Sequence, residues 1–199
     1  MDGFGGFGTL ERVEVELLTD AFRISGSVET RFGRVTDILN QLTATHLAVQ
    51  QATISEHADP SGTLTAPLAM VDVDSILLLA APGLTGGSSS DMRIEKRAVK
   101  AMFAMPPVRA TGTIHVPMGS RPLDGLLNVT DRYLAMTDAT ITSGQYPELG
   151  RTLGAVAIRR DRAEVLLVAD DERPDELLAE ILDERTAEAW LRDEEAPEG

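Results

Sequence analysis

The sequence lacks several residue types that would point to particular chemistry. It contains no cysteine among its 199 residues, which excludes disulfide bonds, thiolate metal sites and cysteine nucleophiles. Aromatic residues make up only 4%, although proteins that bind single-stranded nucleic acid stack bases on aromatic rings. Lysine occurs only at Lys96 and Lys100. These absences exclude thiol chemistry and disfavour binding of single-stranded nucleic acid, but they do not select one function.

Long hydrophobic runs are also missing. The most apolar stretch, residues 75–83, is far shorter than the roughly 18 residues that a membrane helix needs. The N-terminal segment MDGFGGFGTLER has neither the basic start nor the apolar stretch of a signal peptide. We therefore expect a cytoplasmic protein that does not enter a membrane.

The negative charge is concentrated at the C-terminus. The chain carries a formal net charge of -14, and residues 170–199 hold 13 acidic and 3 basic residues. Leu178, Ile181 and Leu182 recur there at helical spacing. This pattern predicts an acidic helical tail. The tail could pack back on the fold, offer its apolar stripe to a partner groove, or be largely disordered.

An internal duplication accounts for most of the remaining chain. Residues 23–33 align with 109–119, and residues 34–54 align with 121–141 after one inserted residue. Twelve of the 32 aligned positions are identical. The identities include Gly26 with Gly112, Arg34 with Arg121 and Asp37 with Asp124.

The duplication and the changes in composition divide the chain into five segments. The predicted segments are a flexible N-terminus (1–12), a first repeat (13–81), a Gly/Ser linker (82–92), a second repeat (93–169) and the acidic tail (170–199).

Each repeat shows the pattern of a small β domain. Val13, Val15 and Leu17 alternate with glutamates, as in a strand with one solvated face. Gly26 and Gly112 lie within the next strand, where glycine marks a bulge, a bend or close backbone approach. We predict a mainly β fold of two tandem SH3-like or Sm-like barrel units. We also expect the two units to pack together by burying residues 75–80 and 165–168.

Parts of the second repeat resemble the Sm pattern. The matching residues are Gly112-Thr-Ile, then Asp124 and Asn128, then Ile158-Arg-Arg and Val165-Leu-Leu. The segment from Asp124 to Ala139 is longer than the family spacing, and Arg160 stands where the family has glycine. Both repeats also carry an R-x-x-D-x-L motif followed by a strand that ends in A-T-I. This motif resembles an uncharacterised bacterial domain family, which implies no known activity.

The residues shared by the repeats suggest structural roles. We interpret Arg34 with Asp37, and Arg121 with Asp124, as a helix cap and an ion pair that fix a connection. A recognition pair, or two symmetric sites, is the alternative. Arg97 and Lys100 belong to a basic run that could bind a partner. The three histidines are not spaced as metal ligands. We predict no catalytic, cofactor or metal site.

The leading functional hypothesis is therefore a non-enzymatic interaction, scaffold or adaptor protein. Residues 13–80 hold 3 basic and 9 acidic residues, whereas residues 99–168 hold 8 basic and 6 acidic ones. Such opposite charge favours packing between repeats or between protomers, so we expect a protein partner or self-association. The alternatives are an Sm-like RNA-binding module, which the overall negative charge disfavours, and a small-ligand-binding regulatory protein.

Overall fold

The computed structural model describes residues 9–84, 96–118 and 121–169. The predicted C-terminal helix, with Leu178, Ile181 and Leu182, lies outside these ranges, as does most of the Gly/Ser linker. The strands in chain order are β1 (Glu11–Leu18), β2 (Phe22–Thr30), β3 (His46–Glu56), β4 (Thr63–Asp72), β5 (Leu78–Ala80), β6 (Lys96–Met105), β7 (Val108–Pro117), β8 (Tyr133–Thr142), β9 (Arg151–Arg159) and β10 (Val165–Val168).

Two short helices and three 3-10 turns connect these strands. Helix α1 (Val35–Asn40) joins β2 to β3, and helix α2 (Pro122–Leu127) joins β7 to β8. Pro122 suits the first position of α2, since an amide hydrogen there would have no helical partner. The 3-10 turns are Val73–Ser75, Pro147–Leu149 and Arg160–Arg162. We refer to β1–β5 with α1 as the first half and to β6–β10 with α2 as the second half.

All ten strands belong to one antiparallel sheet with the order β10-β6-β7-β8-β9-β5-β1-β2-β3-β4. The mainly β prediction is confirmed. The finer expectation of two separate barrels is not supported, because β5 pairs with β1 on one side and with β9 of the second half on the other. The halves are therefore joined edge to edge in one sheet.

The first strand forms as its sequence pattern predicts. Val13, Val15 and Leu17 are buried, whereas Glu14 between them is exposed. Alternate side chains of a strand point to opposite faces of the sheet. Strand β1 therefore contributes one apolar row to the core.

Glycine is required in β2 and β7 by close backbone packing. The register shifts between Ser25 and Ser27, around Gly26, and a Cβ there would lie 2.6 Å from the carbonyl oxygen of Gln50. The facing strand β3 has Gln51 at a φ of 50°. The second half repeats the arrangement, with a shift around Gly112 and Asp138 at a φ of 51°. Both sites are β-bulges that bend the sheet.

Each half has its own hydrophobic core, and each core also includes residues of the other half. The first-half core takes in Tyr133 and Ala157. The second-half core takes in residues of β1, β5 and the segment before β5, which are Leu18, Leu77, Leu78 and Ala80. Strand β5 is thus buried on both faces, as its continuous apolar sequence predicts.

The corresponding expectation for residues 165–168 is wrong. Strand β10 stands at the outer end of the sheet and pairs with β6. Val165 is 48% exposed there. The sequence Val-Leu-Leu-Val is as apolar as β5, so its pattern could not reveal which of the two strands would be covered.

A methyl group at position 112 tests the bulge. Its Cβ would lie 2.7 Å from both the Thr137 carbonyl oxygen and the Met136 side chain. We expect Gly112→Ala to lower the free energy of unfolding by about 1–3 kcal/mol through overpacking, measured by urea denaturation.

The matched control is Gly154→Ala in β9, where a Cβ meets nothing within 4 Å. That change should alter stability by no more than about 0.5 kcal/mol. Equal effects of the two substitutions would contradict the close-packing explanation.

Candidate functional site

The junction between the halves is the most elaborate polar arrangement in the described residues. Strand β5 faces β9 with Leu78 opposite Ile158, Leu79 opposite Ala157 and Ala80 opposite Val156. Beyond the strand ends, the Arg159 amide donates to the Leu77 carbonyl oxygen at 2.9 Å. We call this junction, with the side chains around it, the seam.

Helix α1 of the first half contacts β8 and β9 of the second half at the seam. The Asn40 amide nitrogen donates to the Tyr133 carbonyl oxygen at 2.8 Å, and the Tyr133 backbone amide donates to Asn40 Oδ1 at 2.9 Å. This pair of bonds uses both polar groups of one side chain. It fixes the end of α1 against the start of β8.

Tyr133 extends the contact into the interior. Its hydroxyl group donates to the carbonyl oxygens of Val73 and Ile76, at 2.7 and 3.1 Å. Its side chain is almost completely buried, and burial raises the pKa of Tyr133 to about 12. The phenol is therefore a neutral donor that holds the turn before β5 in place.

Ion pairs across the seam all have the same polarity. The first half supplies the carboxylates and the second half supplies the guanidinium groups. The pairs are Glu16 with Arg151, Asp20 with Arg162, and Asp74 with both Arg132 and Arg159. The opposite charges that the sequence assigned to the two repeats are used here, between the halves.

Arg159 is the buried member of this group. Its Nε donates to Asp161 Oδ1 at 2.7 Å, and its Nη1 donates to the backbone carbonyl oxygen of Asp74. Hydrogen bonding to Asp161 raises the pKa of Arg159, and the same contact lowers the pKa of Asp161. The guanidinium group thus stays charged and tethers both turns that flank the seam.

The repeat-signature residues lie away from the seam ion pairs. Arg34 and Arg121 precede α1 and α2, and Asp37 and Asp124 lie in the first turns, near the positive end of each helix. Neither arginine provides a side-chain cap, and the described residues contain no Arg34–Asp37 or Arg121–Asp124 ion pair. Arg34 is engaged in another interaction.

The basic residues proposed for partner binding lie on β6. Arg97 faces Val116, and Lys100 donates from Nζ to Thr113 Oγ1 at 3.0 Å. The structure does not bring these residues together with the helix residues Arg34, Asp37, Arg121 and Asp124.

The outer edge of β4 is a feature that the sequence reasoning missed. Leu64, Leu68 and Met70 on this strand are 69%, 54% and 59% exposed. Pro67 was the available signal, because proline in a sheet is confined to edge strands, strand ends and bulges. Strand β4 is therefore an apolar edge whose outer side no described strand covers.

Two open recesses lie beside β3 and β4 in the described residues. The first, of about 250 Å³, is lined by Phe22, Ile54, Glu56, Asp59, Gly62, Thr63 and Leu64. The second, of about 320 Å³, is more open and is lined by Gln51, Ala52, Thr53, Thr65, Ala66 and Pro67. Both volumes are near the lower end of the roughly 300–1,000 Å³ that is typical of ligand pockets. The Ser61 hydroxyl group lowers the pKa of Asp59 in the adjoining turn.

No three His, Asp or Glu side chains within the described ranges are grouped as metal ligands.

Comparison with protein-family models, with curated proteins and with solved structures gives no match for this chain. Helices of the described ranges are too short or too polar to span a bilayer. The function must therefore be inferred from the seam and from the two sheet edges.

The hydroxyl group of Tyr133 can be tested by Tyr133→Phe. Loss of the buried donor should lower the free energy of unfolding by about 1–3 kcal/mol at pH 7. Because the folded pKa of about 12 exceeds the ordinary value of 10.0, this stabilisation is complete below pH 10 and is lost as the pH rises through 12. The stability difference between wild type and variant should narrow over that range in urea titrations.

Tyr146→Phe is the control, since the Tyr146 hydroxyl group forms no hydrogen bond within the described residues. It should change stability little and leave the alkaline profile as in wild type. A Tyr133→Phe profile parallel to wild type above pH 10 would contradict the role assigned to the phenol.

Proposed function

We propose that this protein is a non-enzymatic interaction or scaffold protein, built from two copies of one β unit, and that β4 is its docking edge. The observation that carries the proposal is the row of exposed Leu64, Leu68 and Met70 on a strand at the end of the sheet. A sheet edge offers unpaired backbone groups to an added strand. Alternate side-chain positions then provide specificity.

The duplication is supported by matching local geometry in the halves. Both have the order strand, strand, helix, strand, strand, 3-10 turn, strand, and the second half has one additional 3-10 turn, Pro147–Leu149, between β8 and β9. The left-handed residues Gln51 and Asp138 are 87 positions apart, and the bulges at Gly26 and Gly112 are 86 apart. The resemblance of the second half to the Sm pattern, and of both halves to the uncharacterised bacterial domain family, remains a proposal that rests on the sequence motifs alone.

The arrangement supports a scaffold because the docking edge belongs to a firmly joined body. The seam fixes the two halves through β5, Tyr133 and the ion pairs. A partner strand added to β4 would therefore be held in a defined position relative to the second half. Fixed spacing between bound partners is what a scaffold supplies.

The nucleic-acid alternative has less support. Four of the 8 basic residues in 99–168 contact a carboxylate at the seam, and these are Arg132, Arg151, Arg159 and Arg162. Nucleic-acid binding needs cations that can contact phosphate. The cations on β6, Arg97 and Lys100, are the remaining argument for this alternative. Neither recess favours the small-ligand alternative, since both are open to solvent and near the lower end of the volume range of ligand pockets.

Photo-crosslinking in cells that express the protein natively tests the docking edge. We expect p-benzoylphenylalanine in place of Leu68 to give adducts that contain protein and survive nuclease treatment. Leu10 precedes the central strand β1 and is 64% exposed, so the same probe at Leu10 is the control and should give few adducts.

Nuclease-sensitive adducts, or equal adducts at positions 10 and 68, would overturn the docking-edge proposal. Filter binding of a mixed-sequence RNA at low and high salt completes the test. Salt-dependent binding that is lost in Arg97→Ala/Lys100→Ala would favour the RNA-binding alternative instead.

A further inference from the structure

We infer that the strand received by the docking edge is β10 of a second copy of this chain. The inference rests on the proposed function and names the partner of the same edge. The molecule already contains one such contact, the pairing of β5 with β9 at the seam. Its two outer edges are the counterparts of those two strands.

The registers establish which residues correspond. His46 faces Asp72 in the first half, and Tyr133 faces Arg159 in the second. Both members of the second pair are 87 positions beyond the first, so β4 corresponds to β9 by that offset. Strand β5 pairs with β1 as β10 pairs with β6, which places β10 in the position of β5.

Transferring the seam register to the outer edges gives a specific pairing. By the 87-position offset, the pair Leu78 and Ile158 at the seam corresponds to Val165 of one copy and Val71 of a second copy. Leu79 opposite Ala157 becomes Leu166 opposite Met70, and Ala80 opposite Val156 becomes Leu167 opposite Ala69. Pro67 lies outside this three-residue window, so its missing amide hydrogen does not interrupt the pairing.

The apolar side chains at both edges fit this occupant. At the seam, Leu78 and Ala80 reach into the core of the neighbouring half. Of their counterparts, Val165 is exposed and Leu167 is only partly buried. Met70 is exposed, whereas its counterpart Ala157 is completely buried by the neighbouring half. Pairing of β10 with β4 would cover all three.

Helix α2 supplies a second matching surface. Its counterpart α1 contacts β8 and β9 across the seam. On α2, Leu123 and Leu127 are exposed, and Leu127 occupies the position of Asn40. The same docking would bring α2 over β3 and β4 of the second copy. It would place His46 where Tyr133 stands at the seam.

Charge distinguishes the two junctions. The seam cations Arg132 and Arg159 correspond to Thr45 and Asp72 at the outer edge, and their partner Asp74 corresponds to Asp161. The contact between copies therefore lacks these ion pairs and brings two carboxylates near each other. Self-association should be reversible, and salt should strengthen it by screening that repulsion.

The geometry is head to tail, since β4 of one copy meets β10 of the next. Such a contact leaves one edge of each kind open after every addition. The assembly should grow beyond a dimer into a ring or a filament. A closed dimer in which β4 of one copy pairs with β4 of the other would contradict the inference.

Disulfide trapping in the full-length chain tests the register, and the natural absence of cysteine removes any background. Residues directly opposite each other in adjacent strands lie within disulfide range. Ala69→Cys/Leu167→Cys should give a ladder of dimers, trimers and larger species under mild oxidation. Ala69→Cys/Leu166→Cys shifts one cysteine to the other face of the sheet and should give no more than a trace.

Ladders of equal strength from both double variants would overturn the register. The absence of a ladder from both would overturn it as well. A gain-of-function variant keeps the inference testable if trapping disturbs the edge. Thr45→Arg/Asp72→Arg recreates the two seam cations at the outer edge. We expect the dissociation constant from sedimentation equilibrium to fall at least tenfold, which corresponds to about 1.4 kcal/mol.

Leu10→Arg is the charge control and should leave the mass distribution as in wild type. Unchanged association of Thr45→Arg/Asp72→Arg, shown by urea denaturation to be folded, would overturn the inference. A chain that stays monomeric while position 68 crosslinks to other proteins would also overturn it. In that case the proposed function would still stand, so the two failures are distinguishable.

Discussion

The structure depends on one interaction, the insertion of β5 between β1 and β9. This three-residue strand has no exposed face, because Leu78 and Ala80 belong to the second-half core while Leu79 belongs to the first. Burial of each of the two leucine side chains contributes about 1.5–3 kcal/mol. A strand shared by two cores makes the halves one body, and the remaining features of the seam serve to hold it there.

Charge is distributed in support of that arrangement. Carboxylates of the first half meet guanidinium groups of the second, and the half-buried Glu16–Arg151 pair is the most protected of these contacts from solvent. Partly buried ion pairs contribute more to orientation than to net stability, because desolvation offsets much of the attraction. Burial lowers the pKa of Arg151, in keeping with this desolvation cost. The seam pairs therefore specify which edges meet, while apolar burial supplies the stabilisation.

Sequence reasoning succeeded where the signal was local. The alternation at Val13, Val15 and Leu17 identified β1 because strand periodicity depends on neighbouring residues. It failed where two segments had the same local pattern. Residues 75–80 and 165–168 are equally apolar, yet only the first is covered on both faces. It also missed Tyr133 and Arg159, whose contacts across the seam lie 57 or more positions away in the chain, and it overlooked the edge signal of Pro67.

The sequence by itself determined the β class, the matching glycine positions and the division of charge between the halves. Each of these depends on residue type and short-range spacing. Only the tertiary structure decided that the ten described strands form one sheet, that four arginines of the second half pair with carboxylates of the first, and that β4 and β10 are the outer edges of that sheet. The physical reason is that strand pairing joins residues far apart in the chain. Which of several equivalent edges pair is decided by the side chains of both partners together.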